Sequence, residues 1–194
     1  MRAFNAARSH DTVDEVWLLE HPPVYTLGLN NKSVPPANTG IEIVQTDRGG
    51  QITYHGPGQM IVYTLLDLQR LGIGIKRLVE LLEQSVIEYL ASKDIDGRRK
   101  KDAPGVYVGG RKLAALGLRV RQQGSYHGLS VNIDMDLAPF SQIDPCGYEG
   151  LEVTDLKTLG VHAALPDVAH FLLGYLAGQL RYTLPPEPYL TQLP

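Results

Sequence analysis

DRGGQITYHGPGQMIVY, residues 47 to 63, is the stretch whose reading decides the fold. Glycine or proline fills five of its positions (Gly49, Gly50, Gly56, Pro57 and Gly58), and Arg48, Thr53, Tyr54, His55 and Gln59 are set among them. An ordinary turn needs one or two glycines and no particular polar residues. Glycine lets backbone pass where a Cβ would collide, at positive φ or hard against another chain or a ligand. Ile52 and Tyr54 alternate with polar neighbours as in a short strand, and Met60 to Leu66 is an apolar, β-branched run that suits a buried one. The stretch reads as strand, glycine-rich turn, strand, with Arg48 and His55 at the turns. The plain alternative is a hairpin carrying an incidental histidine.

Outward from that stretch, the pattern favours strands on both sides. Towards the N-terminus, Met1 to Thr12 is short and polar, like the end of a helix. Glu15 to Glu20 reads as a strand, Pro22-Pro23 breaks it, and Val24 to Leu27 resumes in β-type residues. Asn30 to Gly40 is turn-rich, and Ile41 to Val44 alternates as another strand. Towards the C-terminus, Ile75, Leu78, Val79, Leu82, Val86, Tyr89 and Leu90 keep helical spacing, which predicts an amphipathic helix over 74–92. Arg98-Arg99-Lys100-Lys101 then reads as a basic loop: a solvated turn, or a docking patch for an acidic partner. Val106 to Val108 and Arg111 to Arg121, joined by Gly109-Gly110, form a hairpin. A further strand over 125–135 is broken by Gly128 beside His127. Asp155 to Leu159 reads as a short helix. Pro166-Asp167 opens a last helix carrying Val168, Phe171, Leu172, Tyr175 and Leu176 on one face, and the tail from Pro185 is proline-rich.

The 194 residues suffice for one full core and show no repeat or linker, so 1–194 is expected to be a single domain. Strands outnumber helices, so the fold class is α+β, with a mixed, mostly antiparallel sheet flanked by helices. A net charge of −3 lacks the basic signature of a nucleic-acid-binding domain. No apolar run is long enough for a membrane span, and the N-terminus has no signal-peptide pattern. One cysteine excludes an intrachain disulfide and zinc-type Cys/His spacing, and fits a reducing cytoplasm.

Cys146 stands between Pro145 and Gly147, outside any apolar periodicity. A lone cysteine is commonly a small buried hydrophobe, yet a Pro-Cys-Gly loop would expose and fix the sulfur. A nucleophilic thiol needs a cation or base beside it to hold the thiolate, and His55, His127 and Lys112 are the candidates that spacing leaves open. Lys112 precedes Leu113-Ala114-Ala115-Leu116 in a β-arm, so it lies on the solvent face, the default for lysine, or is partly desolvated.

Together these segments resemble the lipoyl(octanoyl) transferase family. RGGQITYHGPGQ is similar to its signature. EHPPVYTLG (20–28), DAPGVYVGGRKLAALGLRVR (102–121), YHGLSVNIDMDLAPF (126–140) and DPCGYEGLEVT (144–154) look like its other blocks, in its order. Family members usually carry a further strand and helix start before the segment matching Met1 to Asp14, which leaves the sheet edge there open. The resemblance implies the fold of the biotin and lipoate protein ligase catalytic domains. It also implies transfer of an octanoyl or lipoyl group from acyl carrier protein to a lysine of lipoyl domains, those of 2-oxoacid dehydrogenase E2 subunits and the glycine cleavage H protein. Carried over by position, Cys146 would hold the acyl thioester with Lys112 as its partner. Arg48, Gly49, Gly50, Gln51, Ile52, Thr53, Tyr54, His55, Ala115, Leu116, Gly117, Gly128, Leu129 and Ser130 would line the acyl site, with His127 as an auxiliary, and without metal or cofactor. The competing readings are an ATP-dependent lipoate or biotin ligase, which needs no nucleophilic cysteine, and a non-catalytic acyl- or carrier-binding module, which needs neither Cys146 nor Lys112.

Overall fold

The computed structural model describes residues 1–143 and 151–184. Cys146 and the proline-rich tail expected from Pro185 therefore lie outside the described residues. Among the described residues, nine strands divide between two sheets. β1 (Glu15–Leu19), β5 (Gln59–Leu65), β9 (Gly124–Asn132), β8 (Arg111–Arg121), β7 (Gly105–Val108) and β6 (Arg98–Arg99) form an antiparallel sheet in that spatial order. β2 (Val24–Leu27) is the centre of a smaller sheet, parallel to β3 (Glu42–Gln45) and antiparallel to β4 (Thr53–His55). A one-turn helix α1 (Arg2–Ala6) precedes β1, and α2 (Ile75–Ala91) and α3 (Leu165–Leu180) cover one face of the large sheet.

The glycine-rich stretch reads as strand, turn, strand, but its two strands do not pair with each other. β4 joins β2 in the small sheet, whereas β5 lies between β1 and β9 in the large one. The turn at Gly56-Pro57-Gly58 is thus the crossing from one sheet to the other, which excludes the plain hairpin. α2 buries Leu78, Leu82, Val86, Tyr89 and Leu90 as its periodicity predicts, although Ile75 at its first position stays exposed. Phe171 of α3 is likewise at the surface, with its ring edge-on to Tyr89.

Two expectations are corrected. Asp155 to Leu159 is a hydrogen-bonded turn, not a helix: Asp155 accepts the Thr158 amide through Oδ1, and the chain then doubles back through Val161 N–H to the Leu156 carbonyl. The Asp155 bond is the one that caps a helix start, but the left-handed Gly160, at a φ of +82°, ends the run after one turn. The basic run is not wholly a loop, because Arg98 and Arg99 form edge strand β6, whose charged side chains suit an exposed edge. Arg99 pairs with buried Glu83 of α2 (Nε to Oε2, 2.9 Å), and Arg98 pairs with Asp96.

The two sheets meet around Arg48, which is 9% exposed. Its Nε and Nη2 donate to the Thr26 hydroxyl at 3.1 and 2.8 Å, Nη2 donates to the Thr26 carbonyl at 2.6 Å, and Nη1 donates to the Gly49 carbonyl at 3.0 Å. A Cβ on Gly28 would stand 2.9 Å from Nη1 and 2.2 Å from the Gly50 carbonyl oxygen, and one on Gly117 would stand 3.0 Å from Arg48 Cδ. The glycines therefore make room for a guanidinium between two backbones, and the Gly49 amide closes the join on the Leu118 carbonyl at 3.1 Å. Replacing Arg48 by lysine keeps the charge but loses the planar fork of donors. The expected cost is about 2 kcal/mol, the scale of a hydrogen bond to a charged group. It would be read as a lower urea midpoint in Arg48→Lys; an unchanged midpoint would contradict this role.

Candidate active site

Between the small sheet and the uncovered face of the large one lies a cavity of about 330 Å³, at the small end of the range typical of ligand sites. Side chains alternate along each strand, and this sorts the residues. Thr53 and His55 of β4 face the cavity, while Tyr54 between them turns away to pack on Tyr25 and Phe140, with ring centroids 5.5 Å apart in each pair. On β8, Ala115, Leu116 and Gly117 line it, and on β9, Gly128, Leu129 and Ser130 do. Arg48, Gly50, Gln51 and Ile52 complete the part foreseen from the sequence. Gly49 and Tyr54 are not among the lining residues: Gly49 serves the join to Leu118, and alternation takes Tyr54 to the other face.

Sequence reasoning missed His21, Val24, Thr26, Ile61 and Tyr63, all of which line the cavity. His21 and Tyr63 share a 2.6 Å hydrogen bond across 42 residues. Only the Glu20-His21-Pro22 break and the alternation in β5 hinted that these two positions face the same space.

The cavity's histidines are held neutral. His55 Nδ1 lies 2.6 Å from Gln59 Oε1, and Nε2 lies 3.2 Å from Thr26 Oγ1. Gln59 Nε2 donates to the Tyr54 carbonyl and to Asn132 Oδ1, so its oxygen must face His55, and Nδ1 carries the ring proton. The Thr26 hydroxyl accepts from Arg48 and donates to Nε2. Both ring nitrogens are thus committed. Burial, reinforced by the Arg48 charge against the hydrogen bond to Gln59, pushes the His55 pKa down to about 3. His55 is therefore no candidate base. Burial also lowers His21.

His127 is the strained member. Its φ of +58° is unusual for a non-glycine residue inside a strand. Neighbouring strand residues normally point to opposite faces, yet Tyr126 and His127 reach the same carboxylate: Tyr126 OH donates to Asp47 Oδ2 at 2.7 Å, and His127 Nε2 lies 3.0 Å from Oδ1. The left-handed residue turns the imidazole to the cavity side, the kind of strain that tight sites retain. Burial lowers His127, opposed by Asp47. Burial raises the Asp47 carboxyl, but the His127 and Tyr126 hydrogen bonds and the Arg2 charge outweigh it and hold it at about 2.

Lys112 is buried at 3% exposure, not on the solvent face. It lines a narrow recess that shares Thr53, Ala115 and Ser130 with the large cavity, so Lys112 borders a recess adjoining that cavity. Nζ lies 5.2 Å from the centre of the Tyr107 ring and 3.4 Å from the Pro104 carbonyl. A Cβ on Gly105, whose φ is +147°, would stand 3.1 Å from Lys112 Cε. Buried Glu83 holds the Gly105 amide at 2.8 Å. The site therefore combines an apolar slot, neutral imidazoles along it and one buried lysine in the adjoining recess.

A sheet of this topology enclosing such a slot defines the class. The family model for the lipoyl protein ligase A/B catalytic domain matches residues 2–177. The chain is 55% identical to an octanoyltransferase of Nitrosococcus oceani, over 95% of this chain and 83% of that one. It is 56% identical to one of Aromatoleum aromaticum, over 89% and 75%. The structure is similar to that of a bipartite lipoate protein ligase system of Thermoplasma acidophilum, with a TM-score of 0.73 at 14% identity over 96% of this chain and 78% of that one. It is also similar to a biotin protein ligase of Aquifex aeolicus, with a TM-score of 0.55 at 16% identity over 81% and 70%. The chain belongs to the lipoyl protein ligase A/B catalytic-domain family and, within it, to the octanoyltransferases.

The folded pKa values of the three histidines lie below the ~6.5 of a free imidazole. The unfolded chain therefore binds more protons as pH falls through that value. Stability is full above about pH 6.5 and declines on acidification, the His55 share continuing to about pH 3. Long-range ¹H–¹⁵N spectra between pH 8 and 5 are expected to show His55 fixed as the Nδ1-protonated tautomer; a titration near pH 6.5 would contradict the assignment.

Proposed function

We propose that this chain moves an octanoyl group from acyl carrier protein to a lysine of a lipoyl domain through a thioester on Cys146, without nucleotide, with Lys112 handling the proton. The observation that carries the reading is the buried Lys112 in a recess adjoining an apolar slot. The curated octanoyltransferases at more than 50% identity support the acyl group and the reaction class. The described residues that follow the segment carrying Cys146 are tied to Lys112 itself: Lys112 N–H donates to the Glu152 carbonyl, and Thr154 N–H donates to the Lys112 carbonyl. The acceptors are lipoyl domains of E2 subunits and the glycine cleavage H protein, and the setting is the cytoplasm.

A free thiol with a pKa of about 8.5 is only a few per cent thiolate near neutral pH, and a neighbouring ammonium raises that share. The Cys146 thiolate attacks the carrier's thioester carbonyl, and the ammonium offsets the oxyanion that forms. The S–C bond to the carrier breaks, and Lys112 protonates the departing thiolate. Lys112 is left as an amine beside a neutral thioester. It then takes a proton from the incoming lipoyl-domain lysine as that nitrogen attacks; the amide forms, and Cys146 leaves as a thiolate beside a restored ammonium. Exchange of one thioester for another needs no activation, and amide formation makes the sequence downhill. The ligase reading draws on structures 11–18% identical, which bear on the fold alone.

Arginine can stabilise a thiolate but cannot act as the base, since it keeps its proton. Lys112→Arg is therefore expected to form acyl-Cys146 and pass it on slowly, so that the intermediate accumulates, while Lys112→Ala is impaired already at acylation. Rapid-quench measurement of the two half-reactions checks this. If Lys112→Arg delivers octanoate to the lipoyl domain at the parental rate, Lys112 is not the base.

The basic run supports steering of acidic carrier and lipoyl domains, with Arg99 set aside because its partner Glu83 is buried, whereas the Arg98–Asp96 pair is solvent-exposed. Reversing Arg98, Lys100 and Lys101 is expected to lower kcat/KM several-fold at low ionic strength, with the gap closing as salt screens it. Equal values for the two proteins at low salt would contradict the idea.

A further inference from the structure

Lys112 sits where the large sheet changes partner. The β8–β9 ladder stops at the Ala114–Val131 pair, and opposite Lys112 the place of β9 is taken by Val153 in an isolated parallel bridge. Lys112 spends both backbone groups on that bridge, donating to the Glu152 carbonyl and accepting from the Thr154 amide, each at 2.9 Å. One bridge is a weak hold for a segment that lies against a buried lysine.

Asn132, the last residue of β9 and 4% exposed, supplies the side-chain tie nearest Lys112, while further along the Ile133 carbonyl accepts the Lys157 amide at 3.0 Å and Asp155 Oδ2 accepts the Met135 amide at 3.3 Å. Its Nδ2 donates to the Thr154 carbonyl at 2.9 Å, and its own carbonyl accepts the Leu156 amide at 3.1 Å. Its Oδ1 accepts from Gln59 Nε2 at 2.9 Å. The direction is forced from both ends: the Thr154 carbonyl requires a donor from Asn132, and the Tyr54 carbonyl requires a donor from Gln59, which is 1% exposed. Neither amide can flip without setting like against like in a buried site. The chain of bonds runs unbroken from the Arg48 guanidinium through Thr26, His55, Gln59 and Asn132 to Thr154 and the Lys112 backbone. Asn132 also lines the same narrow recess as Lys112.

We infer that Asn132, oriented by Gln59, is the positioning residue for Lys112: its amide registers the 152–156 segment against β8 and so fixes where the lysine stands in the recess adjoining the acyl slot. It touches neither substrate nor reacting atoms on this account. The activity readout rests on the octanoyl-transfer reading above; the labelling readout below does not.

Asn132→Asp tests it, because the carboxylate keeps the acceptor for Gln59 but turns a second acceptor on the Thr154 carbonyl. A protonated carboxyl, in contrast, reproduces the amide's one acceptor and one donor. At pH 8, kcat is expected to fall 10- to 100-fold, the scale of an ångström misplacement. KM for the octanoyl carrier should stay within about two-fold, since the slot is untouched. Unlike that of the parent, the activity of Asn132→Asp should recover as the pH is lowered to 6, because burial favours the protonated acid. Parental kcat at pH 8, or a raised KM with kcat intact, would overturn the inference. If Asn132→Asp does not fold, Asn132→Ser is measured for the same split between kcat and KM. A parent chain that transfers no octanoate would defeat the functional reading, not this one. The positioning is then read from acetic anhydride labelling of Lys112 by mass spectrometry, expected to be slow in the parent and at least tenfold faster in the variant. Equal labelling would overturn it.

Discussion

One buried cation sets the terms for the rest of the structure. Arg48 brings a permanent charge between two sheets, and its Nε and Nη2 are bound to the carbonyl and hydroxyl of Thr26. A charge in that place is tolerated only because it is so fully hydrogen-bonded. Because Thr26 accepts from Arg48, its hydroxyl proton is directed at His55, and because His55 is thereby filled on both sides, it stays neutral beside the guanidinium. The cation thus docks the small sheet on the large one, and it adds to the burial that lowers the His55 and His127 pKa values, while burial alone lowers His21.

Much of this was legible in the sequence where local chemistry and tertiary need coincide. The crowding of glycines around Arg48 has no use in a simple turn, and it marks where two backbones and a guanidinium share one space. The amphipathic spacing of α2 gave its buried face, and Gly109-Gly110 gave the β7–β8 hairpin. Of the fourteen residues expected at the acyl site, twelve line the large cavity; Gly49 and Tyr54 do not.

The illegible parts depend on partners far along the chain. Nothing local tells that β4 and β5 enter different sheets, because the turn between them suits a hairpin equally well. His21 and Tyr63 look like ordinary residues of a strand end and an alternating strand until the fold brings them together. Asp155 to Leu159 has helical composition and a capping bond from Asp155, but the left-handed Gly160 ends it after one turn. Lys112 is the instructive case. A lysine in a β-arm belongs by default in solvent, and its burial follows from Gly105 leaving room beneath it and Glu83 holding that glycine in place.

On the proposed reading, the acyl group arrives already activated and is held covalently while the acceptor enters. The most direct test is intact-protein mass spectrometry of the chain mixed with octanoyl acyl carrier protein in the absence of any nucleotide, followed by fragmentation to locate the adduct. The account predicts an octanoyl group on Cys146 that disappears when a lipoyl domain is added and is absent from Cys146→Ala, which also transfers nothing. Octanoyl transfer by Cys146→Ala at the parental rate, or an adduct that forms only when ATP is supplied, would contradict it.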